Sequence, residues 1–263
     1  MEHFHPDAML YVVGIPQSLH FKTLFAAARR WGYDRVELEH IKFGSVLGED
    51  RKILSTRAGG AVELGGLIDP AVELGLQKYQ ESYESRKASG HKVPDLSPEE
   101  KRDIAEAIGV GAFKYADLSQ NRTSDYVFSY EKMLATEGNT ATYMQYAYAR
   151  CRSIFREGGV DEQRFRTNPP ALLITHPAER AVALQLLRFP EAVEAAAADY
   201  LPHLITAYLW DLAKTYSGFF ESCPVLKAAT PELRDSRLLL VDLVGRVIRQ
   251  ALDLLGIRTV ERM

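Results

Sequence analysis

The spacing of apolar residues changes near residue 138, and this change most constrains the fold. From Gly138 onward the apolar residues keep helical spacing. Prolines divide this half into segments of ordinary helix length, at Pro169, Pro170, Pro177, Pro190, Pro202 and Pro224. In the last segment an apolar stripe runs from Leu240 to Leu255, and Gly256 is predicted to end the helix. This half is therefore predicted to be an α-helical bundle with its own core.

Strand and helix signals alternate in the first fifty residues. Leu10–Val13 is a short apolar run typical of a buried strand, and Val36–Ile41 alternates as a second strand. Between them an apolar helix face runs from Leu19 to Ala28, and Gly32 is predicted to end that helix. Such a unit implies parallel strands joined by a crossover helix. Because two strands do not make a stable sheet, we expect the unit to be part of something larger.

Local signals place the elements between these two regions. The segment Gly44–Gly66 is glycine-rich and polar, and it is predicted to be a loop. Asp69–Pro70 predicts a helix start with proline at its first position. Ser97 and Glu100 form the pattern of a capping box, which predicts another helix start.

Composition excludes several classes of protein. The net charge of the 263 residues is -3, so any binding of nucleic acid has to come from local patches. Cys151 and Cys223 lie far apart and in no metal-ligand pattern, which predicts reduced, partly buried thiols. His3 and His5 are expected in a tail rather than at a metal, so no metal site is predicted. With no secretory signal pattern and no bilayer-spanning apolar run, we expect a soluble, cytoplasmic chain with no membrane partner.

The segment Gly109–Arg156 is dense in tyrosine, arginine, asparagine and threonine, yet its apolar residues keep helical spacing. Tyr143 and Tyr146 lie three residues apart on one helix face, and Arg150 continues that face one turn later. Such a surface suits stacking on flat rings and bonding of phosphates and bases. The alternative is that aromatic side chains such as Tyr146, Tyr148 and Phe220 belong to the core. Glu179 and Arg180 are expected to form a solvated pair.

Polar residues follow each predicted strand, where ligands of open α/β sheets bind. Gln17 and His20 come after the first strand; they could contact a ligand, or form a helix start with a capping glutamine and a half-buried histidine. After the second strand, Phe43 could pack on a heterocycle while His40 and the backbone of Gly44 contact its edge. The alternative there is a strand end that turns on a glycine.

The segment 52–60 carries two cations, two hydroxyls and two glycines. Ser55 and Thr56 could bond phosphate oxygens, and Arg57 could neutralise charge that builds in a transition state. The segment lacks the glycine and lysine pattern of a Walker loop. The alternative is a solvated basic turn.

In this order, the segments resemble the class I arginyl-tRNA synthetases over nearly the whole chain. The likeness to the catalytic domain lies in YVVGIPQSLHF and VELEHIKFGSVLGEDRKILSTRAGGAVELGGLID. KYADLSQNRTSDYVFSYEKML and then GNTATYMQYAYARCRSI follow as they do in the family. The likeness to the anticodon-binding domain lies in THPAERAVALQLLRFPEAVE, FFESCPVL and LLGIRTVERM. The chain departs from the family at Gly14–Pro16, where an aspartate often follows the strand.

The resemblance implies a mostly α protein. Residues 1–125 would be the C-terminal part of a Rossmann-like α/β catalytic domain, and residues 126–263 a DALR-type helical anticodon-binding domain. The implied activity is arginine–tRNA ligase, which charges tRNA-Arg with arginine and uses ATP with Mg²⁺ as its counter-ion. The implied partners are tRNA-Arg and arginine, with no DNA.

The resemblance also assigns roles by position. Arginine would contact Gln17 and His20. Adenine would be held by His40, Phe43 and Gly44. The family's KMSKS loop, which stabilises the triphosphate, falls on Ser55, Thr56 and Arg57. The tRNA anticodon arm would meet Tyr143, Tyr146, Arg150, Phe220 and Met263.

In the family the HIGH motif and the groups that grip arginine precede the position of Tyr11. The resemblance therefore implies the C-terminal portion of a ligase, from a split or a fragmentary gene, inactive alone and active only with the missing half, which could be a separately encoded N-terminal half. One alternative is a non-catalytic paralogue that only binds tRNA. Another is a helical interaction protein unrelated to tRNA. The phosphate-loop residues Ser55, Thr56 and Arg57 favour the ligase, because a protein that only binds tRNA does not need them.

Overall fold

A computed structural model describes residues 5–53, 64–90 and 96–263. The strands are β1 (Ala8–Gly14), β2 (Glu37–Phe43), β3 (Val46–Leu47) and β4 (Tyr126–Val127). The helices are α1 (Ser18–Arg30), α2 (Leu64–Ala88), α3 (Pro98–Leu118), α4 (Tyr130–Met133), α5 (Ala141–Glu157), α6 (Glu162–Thr167), α7 (Pro177–Leu187), α8 (Phe189–Ala198), α9 (His203–Ser222) and α10 (Pro231–Leu254). The mostly α fold with small parallel sheets confirms the predicted class. In the described part of the chain, no helix has the length and apolarity needed to cross a bilayer.

The chain divides into two compact units. The first contains the described residues of 1–61 together with 120–129, and the second contains those of 62–119 and 130–263. Helices α2 and α3 therefore belong to the same unit as the helices α4 to α10, whereas β4 belongs to the unit of β1 to β3.

In the first unit, β1 and β2 pair in parallel, from Ala8 opposite Glu37 to Gly14 opposite Phe43. This pairing, with α1 as the crossover, confirms the predicted strand–helix–strand unit. The ring of Phe21, buried on α1, lies 5.2 Å from that of Tyr11 on β1 and 4.6 Å from that of His40 on β2. These ring contacts fix the helix against the strand pair.

The segment after Gly44 differs from the predicted loop. Val46 and Leu47 form β3, which pairs in parallel with β4. The Gly44 amide donates to the Arg122 carbonyl at 2.7 Å. A Cβ at Gly44 would lie 2.5 Å from the Ser124 carbonyl oxygen, so the close approach of the two backbones requires glycine. The loop prediction missed β3 because a strand of this length carries no periodicity, and its partner lies some 80 residues away in sequence.

In the second unit, α2 begins at Leu64 rather than at the predicted Asp69–Pro70, and Pro70 lies inside it. As the seventh residue of the helix, Pro70 has no N–H to donate to the carbonyl four residues earlier, so α2 lacks one backbone bond at this point. Helices α2 and α3 pack closely at glycine: a Cβ at Gly109 would lie 2.5 Å from the Ala71 carbonyl oxygen, and one at Gly75 would lie 2.7 Å from that of Ala105. These approaches fix the α2–α3 pair.

Helix caps explain two further element starts. Ser97 and Glu100 form the predicted capping box at α3. At α7, His176 is the cap and Glu179 completes a second box. The prediction that Glu179 and Arg180 form a solvated pair is wrong. Glu179 is fully buried and accepts from Nε of Arg237 at 2.7 Å. Its partner lies 58 residues away, so local sequence gave no signal for the pair.

The core of the second unit is built by α5, α7, α9 and α10. The predicted apolar stripe of α10 is buried at Leu240, Val244 and Ile248, and Gly256 follows the helix at a φ of 67°. Cys151 and Cys223 are free thiols, as the sequence predicted, but both are fully buried in this core rather than partly buried. Burial raises the pKa of the Cys151 thiol to about 12, so the native thiol stays protonated and unreactive near neutral pH.

Candidate functional sites

Helix α5 carries different residues on two of its faces. The Thr140 hydroxyl caps its start by accepting from the Tyr143 amide at 3.2 Å. Tyr146 and Arg150, one turn apart, lie on a partly exposed face, whereas Tyr148 is buried at 3% exposure. The suggestion that the tyrosines are core residues therefore holds for Tyr148 but not for Tyr146.

An open cleft of about 440 Å³ lies along the exposed face of α5 in the second unit. It gathers four of the residues that the sequence assigned to tRNA, namely Tyr146, Arg150, Phe220 and Met263. Phe220 comes from α9 and Met263 from the segment after α10, so three parts of the chain contribute. Such a concave site with aromatic walls suits a flat ligand.

Arg150 joins the two aromatic walls. Its guanidinium carbon lies 4.8 Å from the ring centroid of Tyr146 and 4.8 Å from that of Phe220. Nη2 of Arg150 also donates to the Tyr146 hydroxyl at 3.1 Å. Cation–π contacts on both sides hold the arginine at the aromatic surface. Tyr146 and Phe220 remain 36% and 38% exposed, which leaves ring surface for a stacked base.

Charged and polar side chains that sequence reasoning missed complete the cleft: Arg86, Ser153, Glu157 and Lys227. Nη1 of Arg86, on α2, donates to the Met263 carbonyl at 2.8 Å and so ties the two walls together. The sequence gave no signal for Arg86, because it lies 177 residues from Met263 in a charged run that is typical of a solvated helix.

Tyr143 lies outside the set of residues that line this cleft. Its half-buried ring packs edge-on against Trp210 at 5.5 Å, beside the helical core. Its predicted contact with tRNA stays a prediction.

In the first unit the predicted ligand residues lie at the carboxyl ends of β1 and β2. Gln17 and His20 are exposed at the start of α1, and Phe43 is 44% exposed at the end of β2. The His40 Nε2 lies 2.9 Å from the Val13 carbonyl oxygen, and its ring stacks on Phe21. His40 therefore links the middle of β2 to the end of β1, and Phe43 at the end of β2 stays partly exposed.

The predicted phosphate-loop residues Ser55, Thr56 and Arg57 lie outside the described residues. The same is true of His3, whereas His5 is described and exposed. Within the described ranges, no group of three or more histidines, cysteines, aspartates or glutamates is arranged to hold a metal ion.

Comparison with known proteins identifies the chain through its two parts. Residues 1–130 match the family described as tRNA synthetases class I (R), catalytic domain, and residues 144–263 match the DALR anticodon binding domain. This pair of domains defines a class I aminoacyl-tRNA synthetase. The chain belongs to the arginyl-tRNA synthetase family, as the sequence analysis expected.

Individual relatives agree with this assignment. The arginine–tRNA ligase of Klebsiella pneumoniae (strain 342) is 45% identical over 264 residues, which is all of this chain and 44% of that protein. The chain therefore spans less than half the length of the curated relatives that it matches. Thermus thermophilus arginyl-tRNA synthetase superposes with a TM-score of 0.82 at 31% identity, over 98% of this chain and 41% of that one. The crystal structure of Plasmodium falciparum arginyl-tRNA synthetase superposes with a TM-score of 0.77 at 30% identity, over 98% of this chain and 41% of that one.

Proposed function

We propose that this chain supplies the anticodon-binding part and the ATP-loop part of an arginine–tRNA ligase. The observation that carries the proposal is the cleft in which Tyr146, Arg150, Phe220 and Met263 converge. The relatives named arginine–tRNA ligase support it as well. The substrates would be tRNA-Arg, arginine and ATP, and the site of action the cytoplasm.

The chemistry of the cleft fits an unstacked base of an RNA loop. The exposed ring faces of Tyr146 and Phe220 supply a stacking surface, which is worth about 1–3 kcal/mol per base. Arg150 and Lys227 supply positive charge for the adjoining phosphates. The Glu157 carboxylate can accept from an exocyclic amine of a base.

The first unit would contribute to the ATP and arginine sites. The partly exposed Phe43 suits the adenine ring, next to the close backbone approach at Gly44, and His40 links the middle of β2 to the end of β1. Gln17 and His20 are exposed beside them for contact with arginine. Ser55 and Thr56 would bond the triphosphate oxygens and Arg57 would neutralise their charge, with Mg²⁺ as the counter-ion.

Activation of an amino acid needs groups from both halves of a class I catalytic domain. ATP supplies the energy by converting the arginine carboxylate to an adenylate, and this reaction depends on positioning and charge stabilisation. We therefore propose that residues 1–125 act with an N-terminal half of the catalytic domain, and that residues 126–263 hold the anticodon arm.

Equilibrium binding of tRNA-Arg tests the cleft. Phe220→Ala should weaken binding about tenfold, because one stacking partner is lost. The matched control is Trp31→Ala, which removes an aromatic side chain that is 83% exposed in the first unit and should leave binding unchanged. Equal binding by the Phe220→Ala variant and the unsubstituted chain would contradict the assignment of the cleft.

Aminoacylation assays test the enzymatic part. The chain is assayed for charging of tRNA-Arg alone and with a separately expressed N-terminal half. Charging that requires the mixture supports the ligase, whereas binding without charging in either assay supports the non-catalytic paralogue. The absence of salt-dependent tRNA binding would refute both.

A further inference from the structure

The segment after α10 has no regular secondary structure, yet three of its apolar side chains are buried, while Glu261 remains partly exposed. Ile257, Val260 and Met263 are 4%, 6% and 6% exposed. A stretch without backbone ladders needs other groups to bond its polar atoms. Side chains from the α2–α3 pair and from α5 provide these bonds.

Bonds along the segment leave its path little freedom. The Lys114 ammonium donates to the Gly256 carbonyl at 2.6 Å, and the buried Gln145 amide donates to the Arg258 carbonyl at 2.8 Å. The same amide group donates to the Ala107 carbonyl on α3 at 2.9 Å. The beginning of the segment is therefore tied to both α3 and α5.

Glu261 is the centre of the last part of the segment. One oxygen of its carboxylate accepts from the Tyr148 hydroxyl at 2.7 Å, and the other accepts from Nε of Arg152 at 2.7 Å. Its backbone carbonyl accepts from Nη1 of Arg156 at 3.0 Å. Burial would raise the pKa of the Glu261 carboxyl, but hydrogen bonds from Arg152 and Tyr148 lower it overall, so the carboxylate stays ionised at neutral pH.

Two faces of α5 therefore contact different parts of the molecule. Tyr148, Arg152 and Arg156 recur every four residues and all three bond Glu261, whereas Tyr146 and Arg150 line the cleft. Met263, two residues after Glu261, forms part of the cleft wall. Fixing both the side chain and the carbonyl of Glu261 thus fixes the direction in which the chain enters the cleft.

We propose that Glu261 is a positioning residue for RNA recognition, which holds Met263 against the stacking surface of Tyr146, Arg150 and Phe220. Glu261 itself lies outside the set of residues that line the cleft. It acts through Tyr148, Arg152 and Arg156. This inference rests on the proposed function and adds a residue that determines base discrimination.

Simple electrostatics makes the opposite prediction. Removing a carboxylate from beside Arg152 and Arg156 raises the local positive charge, which should strengthen binding of any RNA. Loss of positioning should instead weaken binding of the correct tRNA. The sign of the change separates the two explanations.

The test uses the full chain with Glu261→Gln. Dissociation constants are measured over a series of salt concentrations for tRNA-Arg and for the same tRNA with one anticodon base changed. We expect about fivefold weaker binding of tRNA-Arg, the effect of losing one partly exposed charged network worth about 1 kcal/mol. We also expect a smaller difference between the two tRNAs and an unchanged salt slope, because no phosphate contact is removed.

Two further variants complete the design. Tyr148→Phe removes a single hydroxyl from a buried ring, and it should also weaken binding of tRNA-Arg, by less than Glu261→Gln does. This variant keeps the test possible if Glu261→Gln fails to fold. Glu194→Gln removes an exposed carboxylate from α8 and should change neither measurement.

The outcomes are separable. Unchanged or tighter binding by both Glu261→Gln and Tyr148→Phe overturns the inference, and so does equal weakening for both tRNAs. If the unsubstituted chain binds no tRNA, the proposed function fails and the inference fails with it. Binding by that chain with no effect of either variant removes the inference alone.

Discussion

Replacing Glu179 with glutamine should destabilise the helical unit more than most single substitutions. Glu179 is fully buried and accepts from the amides of Thr175 at 2.6 Å and His176 at 2.9 Å. It also accepts from Nε of Arg237 at 2.7 Å, and Arg237, 8% exposed, donates in turn to the Pro224 carbonyl at 2.9 Å. The pair thus joins the start of α7 to α10 and to a wall of the cleft.

The size of the effect follows from the charge that remains. Glutamine can still accept from the capping amides, but it leaves Arg237 buried without a counter-charge. Breaking a buried ion pair from one side costs about 3–5 kcal/mol, out of a total domain stability of roughly 5–15 kcal/mol. The double variant Glu179→Gln with Arg237→Met removes both charges. The double variant should recover the stability lost by the single variant, except for about 1 kcal/mol, because glutamine caps the start of α7 less well than glutamate.

Urea unfolding followed by tryptophan fluorescence measures these differences. Trp210 packs on the core of the helical unit, and a Trp31→Phe background leaves it as the single tryptophan. Glu194→Gln, on the exposed side of α8, is the control and should be nearly neutral. A loss below about 1 kcal/mol for Glu179→Gln would refute the reasoning, as would a double variant no more stable than the single one.

The same pair predicts a dependence on pH. Burial would raise the pKa of the Glu179 carboxyl, but bonds from the Thr175 amide and from Arg237 lower it overall. The stability that this carboxylate contributes is therefore fully present above its unfolded pKa of about 4.3 and is lost as the pH falls through the lower folded value. Glu179→Gln should accordingly lose less stability on acidification than the unsubstituted chain.

Two further predictions concern packing. Gly109→Ala would place a Cβ 2.5 Å from the Ala71 carbonyl oxygen and should cost about 1–3 kcal/mol in urea unfolding; the control Gly218→Ala, where the space is open, should be stabilising by up to about 1 kcal/mol. Cys151, buried and with its pKa raised to about 12, should react with a thiol reagent at about pH 8 only after unfolding in urea. Reaction in the native state would contradict the packing around it.

Local patterns predicted the elements whose causes are local. The capping box at Ser97, the stripe of α10 and the stop at Gly256 depend on residues within a few turns of one another, and each is confirmed. The parallel pair β1 and β2 followed from strand–helix–strand order alone. Strand β3 was missed and the start of α2 was misplaced, because distant partners and packing outweigh the local signals there.

The sequence by itself determined the family, since ordered motifs along one chain need no coordinates to be recognised. It also named four residues that line one cleft, Tyr146, Arg150, Phe220 and Met263. Only the tertiary structure decided that Tyr148 is buried whereas Tyr146 is open, that Glu179 pairs with Arg237, and that Glu261 bonds three residues of α5. These facts depend on groups brought together across 58 to 113 residues of sequence. Contacts at that separation arise from tertiary packing. Helical periodicity and capping patterns depend only on nearby residues, so they do not predict such contacts.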